Sequence, residues 1–405
     1  MKYSVVTFGC RVNQADSLAV EAELCARGGE AVSADRADLV IVNTCSVTAS
    51  ADQGARQTIR RIARENPAAH IVATGCYATR CADEVAGLPG VAAVIPNAVK
   101  GSNSFFATLF EKRGQTALPL EGPCGRALSP GLMGRTAWTL RVQTGCEEQC
   151  SYCIIPTTRG LSRSRELADI FQEVDRVVAA GYKEIVITGV HLGSYGRDLF
   201  PRVTLASLME ALVSRCFSDA EKPLFRVSSL EPMDFPAAIV GYVAPHFHLP
   251  LQHASNRVLE RMRRPYTIEK YSDLVDDIRA QVPHAAIGSD VIVGFPGETD
   301  EDFERLTEYL ERSPLTHIHV FPYSDRPGTE ASLLSGKVHG GVVKARGERV
   351  RQISRTLQTR FRASVAGTKR PALTIEDGTV AVTDNYIRVA VPPGYQRNEW
   401  IDVTL

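Results

Sequence analysis

Long hydrophobic runs are missing from this sequence. No apolar stretch approaches the ~20 residues of a membrane span. The opening Met1-Lys2-Tyr3-Ser4-Val5-Val6 lacks a signal-peptide core and a small-residue cleavage site, which leads to the expectation of a cytoplasmic protein. An excess of charge is missing too, because 46 Lys+Arg balance 46 Asp+Glu. That excludes a chain-wide electrostatic nucleic-acid binder, though not a local basic patch. Only 31 Gly and 22 Pro occur among 405 residues, and no repeat of fixed period is visible, which excludes collagen-like and low-complexity architectures. At roughly 150 residues per domain, the length implies two to three domains. Ten cysteines are present. In a reducing compartment they read as ligands or reactive thiols before disulfides, with some serving as small core hydrophobes.

The first ~100 residues alternate strand-like and helix-like patterns. Ser4–Cys10, Ala37–Thr44 and His70–Thr74 read as strands. One helix follows Asn13, as its cap, and stops at Gly28-Gly29; another runs from about Ala51 to Glu65, before Pro67. This pattern implies a doubly wound parallel sheet. Residues from about 112 to 136 carry Pro119, Pro123 and Pro130 and read as a linker. Six strand candidates follow, at 137–143, 183–189, 224–229, 246–251, 286–293 and 316–322, most of them separated by helical stretches such as 166–180, 204–215, 267–281 and 299–312. Six βα units suit a partial barrel, where eight would close one. A basic amphipathic helix comes next, with Val343, Val350, Ile353, Leu357 and Phe361 on one face. From Lys344 to Arg362 it carries seven basic residues and one acid, Glu348. Short β-type runs at Ala372–Ile375, Val380–Thr383 and Ile387–Val391 end the chain as a small β-domain.

The strongest chemical signal is Cys146-Glu-Glu-Gln-Cys150-Ser-Tyr-Cys153, directly after the first barrel strand. Structural zinc normally takes four ligands from paired motifs. No partner pair lies downstream, where Cys216 stands alone. Three thiolates on an iron–sulfur cube leave one iron open for a small ligand. Cys10, Cys45 and Cys76 each end a predicted strand. Parallel strands align their carboxyl ends along one sheet edge, so these thiols converge as a second three-ligand set. Gly9 and Gly75 allow close backbone approach there. Cys25, Cys81, Cys124 and Cys216 read as structural.

The Cys146–Cys153 loop is the signature of radical S-adenosylmethionine enzymes. Together with Gly9-Cys10-Arg11-Val12-Asn13-Gln14, Val42-Asn43-Thr44-Cys45-Ser46-Val47-Thr48 and Asp290-Val-Ile-Val-Gly-Phe-Pro-Gly-Glu298-Thr299, the sequence resembles the methylthiotransferases over nearly its whole length. Val47-Thr48, His191-Leu-Gly-Ser-Tyr-Gly196-Arg-Asp198 and Ser228-Ser229-Leu-Glu231-Pro232 look most like the branch acting on N6-threonylcarbamoyladenosine in tRNA. Other branches act on isopentenyladenosine in tRNA or on an aspartate of a ribosomal protein. A reading from another class is a non-catalytic, metal-stabilised RNA-binding protein.

The resemblance implies an α/β chain of four parts: a methylthiotransferase amino-terminal domain at 1–112, a linker at 113–135, a radical core of partial (β/α)6 barrel type at 136–363, and a short β-barrel like the RNA-binding TRAM domain at 364–405. It implies two [4Fe–4S] clusters, an auxiliary one on Cys10, Cys45 and Cys76 and a radical-forming one on Cys146, Cys150 and Cys153, with S-adenosylmethionine as cofactor. The partners expected are tRNA and an external electron donor, for a monomer off the membrane.

Thr188 and Gly189, Glu231, Gln252, Arg263 and Asp290 lie at or near barrel strand ends, or in Asp290's case within a strand, and are expected cofactor contacts. Arg159, Arg163, Arg165, Lys344 and Arg351 are expected RNA-phosphate contacts. His248 and His253 read as structural. Gly294–Thr299 lacks the Gly-Lys-Ser/Thr ending of a phosphate loop and reads as a strand-to-helix turn capped at Thr299 or Asp300.

Overall fold

The computed structural model describes residues 1–100, 109, 128–215, 217 and 222–405. Most of the expected linker, with Cys124, lies outside the described residues, as does Cys216.

Strands β1 (Lys2–Thr7), β2 (Glu30–Ala31), β3 (Leu39–Thr44), β4 (His70–Gly75) and β5 (Val91–Ile95) form a parallel sheet in the order β2-β1-β3-β4-β5. The unbroken apolar character of β3 follows from burial on both faces. Val40 and Val42 pack with Ala55, Ile59 and Ile62 of the helix Ala49–Glu65. Leu39 and Ile41 pack on the other side with Val20 and Leu24 of the helix Arg11–Ala26. That first helix begins earlier than expected, with Cys10 at its N-cap. Asn13 does not cap it. Its amide instead donates to the carbonyls of Phe8 and Thr44 at 2.8 and 2.9 Å, tying the helix to two strand ends.

Glu21 of the same helix is 6% exposed, and burial pushes its carboxyl up to about 7 from 4.5. A raised acid favours the folded state in its protonated form. That contribution is complete below about pH 4.5 and is lost as pH rises through about 7. Glu21→Gln is therefore expected to raise the melting temperature at about pH 8, by the equivalent of ~2–3 kcal/mol, and to change it little near pH 5. Melting curves at both pH values check this; an offset independent of pH counts against it.

The middle of the chain supplies β6 (Trp138–Arg141), a two-stranded ribbon of β7 (Gln143–Thr144) and β8 (Arg163–Ser164), and then β9 (Glu184–Thr188), β10 (Leu224–Val227), β11 (His246–His248), β12 (Ala286–Val293) and β13 (His317–Pro322). All six barrel strands fall inside or on the expected spans. They pair in parallel as β10-β9-β6 and β11-β12-β13. Leu230 N–H donates to His248 O at 2.9 Å and Ala244 N–H to Phe225 O at 2.8 Å, joining the two sheets into one arc. The helices Leu167–Ala179, Leu205–Val213, Ile268–Gln281 and Asp300–Arg312 lie where the sequence put them. Local chemistry starts two of them. Thr204 with Ser207, and Thr299 with Asp302, form reciprocal capping pairs. Glu298 closes the turn before the second by accepting from the Gly294 and Phe295 N–H groups at 2.6 and 3.1 Å.

The helix Gly340–Val365 buries Val350, Ile353, Leu357 and Phe361 as expected. Its basic residues are less free than the charge run suggested. Arg346 is buried on Glu298 at 2.6 Å, Arg349 meets Glu311 at 2.5 Å, and Arg351 and Arg355 share Glu348. The chain ends in an antiparallel sheet, β16-β15-β14-β17, from β14 (Lys369–Ile375), β15 (Val380–Thr383), β16 (Arg388–Ala390) and β17 (Trp400–Thr404). The last strand was missed in the sequence, where Trp-Ile-Asp-Val-Thr alternates too briefly to stand out.

Two cysteine trios and the cavity beside them

Strands β1, β3 and β4 are neighbours, and their register pairs Thr7 with Asn43 and Thr44 with Gly75. Cys10, Cys45 and Cys76 therefore emerge from adjacent strand ends along one edge. Gly9 has a φ of +87°, and a Cβ there would lie 2.5 Å from the Cys45 sulfur, so glycine is required by the thiol itself. The need at Gly75 is different: a Cβ would strike the Thr44 carbonyl at 2.2 Å. Cys45 and Cys76 are buried. Burial pushes the Cys45 thiol up to about 12, and the neighbouring Cys10 and Cys76 add to the effect.

The second trio sits on the loop between β7 and the short helix Ile155–Arg159. Gly145 starts the loop at φ +76°, where a Cβ would collide with the Leu161 carbonyl. Burial pushes the Cys153 thiol up to about 12. Arg264 donates to the Cys150 sulfur at 3.1 Å and pairs with Glu231. This corrects the expectation for Arg263, which turns away to Glu330 at 2.7 Å and is half exposed. The side chain that reaches Cys150 is one residue further on, and neither spacing nor residue type distinguishes two adjacent arginines. His191, also missed, lies beside Cys146 and Glu148 and bonds Asp234 at 2.8 Å. Burial works against its charge, but the Asp234 and Cys146 contacts outweigh it and hold the ring up to about 10.

Buried thiols held high do not ionise alone near neutral pH; a coordinated metal deprotonates them outright. Among the described residues, neither trio brings three sulfurs within 4.8 Å of one another. A single tetrahedral ion with Zn–S bonds of about 2.3 Å needs a tighter set. The donor set, three thiols with no fourth, thus fits an iron–sulfur cube with one iron left open.

Between the trios lies a buried ionic node. Asp16 faces Arg141, Lys100 at 3.3 Å and Arg159 at 3.1 Å. Burial opposes its ionisation, and the three cations outweigh it and hold the carboxyl far below its usual range. Arg159 is thus no surface phosphate contact: it is 5% exposed and also donates to Asn13 at 2.5 Å. Arg163 is exposed, whereas Arg165 is tied to Glu173 at 2.6 Å. Lys344 is exposed.

A cavity of about 790 Å³ opens between the amino-terminal sheet edge and the inner face of the barrel. Cys10, Thr188, Gly189 and Asp290 line it. Asp290 therefore points inward, where His248 meets it at 2.8 Å. Glu231 and Gln252 do not line the cavity. Glu231 serves Arg264, and Gln252 stands at φ +65°, bridged to Val291. His253 is fully buried, consistent with a core role. The carboxy-terminal sheet reaches over the opening through Tyr386. Its hydroxyl accepts from Arg11 at 2.9 Å and its ring stacks on His246 at 4.2 Å.

Residues 2–96 match the uncharacterized protein family UPF0004, and residues 140–310 match the radical SAM superfamily. The threonylcarbamoyladenosine tRNA methylthiotransferase MtaB of Aquifex aeolicus is 36% identical over 402 residues, 96% of this chain and 96% of that protein. Its Bacillus subtilis counterpart is 33% identical, covering 95% of this chain and 88% of that protein. The tRNA-2-methylthio-N(6)-dimethylallyladenosine synthase of Syntrophomonas wolfei is 33% identical over 92% of this chain and 86% of itself. Among solved structures, the radical S-adenosylmethionine methyltransferase TsrM of Kitasatospora setae, with cobalamin and a [4Fe–4S] cluster bound, shares the fold at a TM-score of 0.58 and 16% identity, covering 82% of this chain and 77% of that one. With two thiol trios, a partial parallel barrel and relatives matched almost end to end, this chain belongs to the radical S-adenosylmethionine methylthiotransferase family.

Proposed function

We propose that the protein attaches a methylthio group at C2 of N6-threonylcarbamoyladenosine in tRNA, at position 37 beside the anticodon. The observation that carries this reading is the cavity that begins at Cys10 and ends on the barrel face at Thr188–Gly189, so that one occupant meets both halves of the chain. Its volume suits a modified nucleoside. Relatives bearing this activity in their names support the same choice.

Cys146, Cys150 and Cys153 would hold one [4Fe–4S] cluster and Cys10, Cys45 and Cys76 the other. With S-adenosylmethionine and an external electron donor, the first site would supply a 5′-deoxyadenosyl radical and the second would carry the sulfur to be transferred. The chain's own residues set the geometry. Arg264, pinned by Glu231, fixes the Cys150 side of the loop. Phe321 lines the cavity, is 37% exposed and would offer its ring to a base, while Tyr386, also in the lining, is already stacked on His246. Arg11 and Arg362 line the same space and offer cations to an anionic substituent.

The four-part division at 112, 135 and 363 follows from this reading, with the antiparallel sheet β14–β17 as a TRAM-like RNA-docking module. Arg163 and Lys344, both exposed, would add phosphate contacts, in a protein working as a cytoplasmic monomer. No helix among the described residues is long and apolar enough to cross a membrane.

The test is nucleoside mass analysis of tRNA after anaerobic reaction with the loaded protein, reductant and S-adenosylmethionine. Conversion of threonylcarbamoyladenosine to its methylthio form is expected. Conversion of isopentenyladenosine instead, or a methylthio mass added to a ribosomal protein in a parallel incubation, would reassign the branch.

A further inference from the structure

Four of the nine histidines face one another inside the barrel, on strands that the cysteine chemistry does not use. The register makes this unavoidable. His248 pairs with Gly288, Gly288 with His317, and Asp290 with His319. Alternation then sends His246, His248, Asp290, His317 and His319 to the same face, and all five line the cavity. Gly288 leaves the space they fill: a Cβ there would lie 2.2 Å from His317 Nε2 and 2.9 Å from His248 Nδ1.

Within this layer three donor atoms converge. Asp290 Oδ1 is 2.8 Å from His248 Nε2 and 3.3 Å from His319 Nδ1, and all three ligand atoms lie within 4.8 Å of one another. Ligands about 2.1 Å from a metal and subtending about 90° to 105° stand about 3.0 to 3.3 Å apart, so these separations need little adjustment. The second imidazole pair flanks the group: the ring centre of His317 lies 5.5 Å from that of His319, and the ring centre of His246 lies 6.0 Å from that of His317. His246 is buried, and its Nδ1 has no hydrogen-bond partner.

We propose that His248, Asp290 and His319 form a binding site for one divalent transition-metal ion, separate from both cysteine trios. Two imidazoles and a carboxylate suit zinc, ferrous iron or cobalt in preference to magnesium or calcium. The three ligands occupy one side of the ion, and the remaining positions open onto the cavity, where water or an oxygen donor of its occupant completes the shell. Binding of the ion depends on the chain alone and not on the identity of the substrate.

The experiment uses the anaerobic holoprotein with both clusters in place. It is incubated with a small excess of Zn²⁺ and desalted, and its zinc, iron and sulfide are counted. One zinc per chain beyond the iron complement is expected in the wild type. At least a ten-fold weaker zinc affinity, with iron and sulfide unchanged, is expected in Asp290→Asn and His319→Ala. The His319 side chain is 60% exposed, so its replacement leaves the core intact and decides the matter even where Asp290→Asn loses iron. No retained zinc in the wild type, or equal zinc in the wild type and His319→Ala, overturns the site; the two histidines would then only share a hydrogen-bonded carboxylate.

Discussion

Changing Cys150 to alanine is expected to leave about four of about eight irons, and to abolish both cleavage of S-adenosylmethionine and methylthiolation. Changing Cys10 is expected to remove the other four irons. Methylthiolation is then lost, while reductive cleavage of S-adenosylmethionine persists. The split follows from architecture. Cys10, Cys45 and Cys76 hang from the ends of β1, β3 and β4, and Cys146, Cys150 and Cys153 sit on a loop framed by the β7–β8 ribbon. No thiol is shared between the two sets, and each is fixed by its own strand register. Removing one ligand of three leaves a cube with insufficient protein anchors at that site only. Iron and sulfide analysis, read with 5′-deoxyadenosine production and nucleoside mass, separates the two losses. Retention of all the iron in either variant, or collapse of both clusters in either, would sink the assignment of two independent centres. The effect on product formation is complete in both cases, because the chemistry at an unactivated ring carbon has no acid–base substitute.

How much of this was legible in the sequence depends on the range of the interaction. The cysteine loop is local, with three thiols inside eight residues. The strand-end trio was legible for a different reason. Parallel pairing makes carboxyl ends coincide, so three predicted strands sufficed to bring residues some thirty positions apart together. Barrel strands and their helices were readable from apolar runs and periodicity, and Thr299 from cap chemistry. Choices between neighbours were not readable. Arg264 rather than Arg263 faces Cys150 because Arg263 takes a left-handed backbone, with φ of +56°, and points its side chain elsewhere. The histidine layer escaped notice because it forms across β11, β12 and β13, and its coherence exists only in the register. The basic residues misled for the opposite reason. Arg159 looked like a phosphate contact and Arg346 and Arg349 like free charges of the basic helix, yet their partners Asp16, Glu298 and Glu311 lie far away in sequence.

Asp16 carries the largest stability prediction. Its carboxylate is shared by Arg141, Lys100 and Arg159, and its side chain is 1% exposed. Arg141 and Arg159 come from the barrel half, whereas Asp16 belongs to the amino-terminal half, so the node also fastens the two together. Removing the anion leaves buried cations without their countercharge. Asp16→Ala is therefore expected to cost about 3–5 kcal/mol, the range for breaking a buried ion pair from one side. The cations will not all respond alike. Burial already holds Lys100 down to about 8, against the pull of Asp16. Without that pull it is expected to discharge, which moderates the penalty; Arg141 and Arg159 stay charged. Asp16→Asn keeps the shape and part of the hydrogen bonding and should cost less than alanine. Arg141→Ala should cost least, because its side chain is 20% exposed and two cations still face the carboxylate. Denaturant unfolding of the cluster-loaded protein gives the order. A loss below about 0.5 kcal/mol for Asp16→Ala, the scale of an ordinary surface change, would mean that water screens the node and that the halves are held together by apolar packing instead.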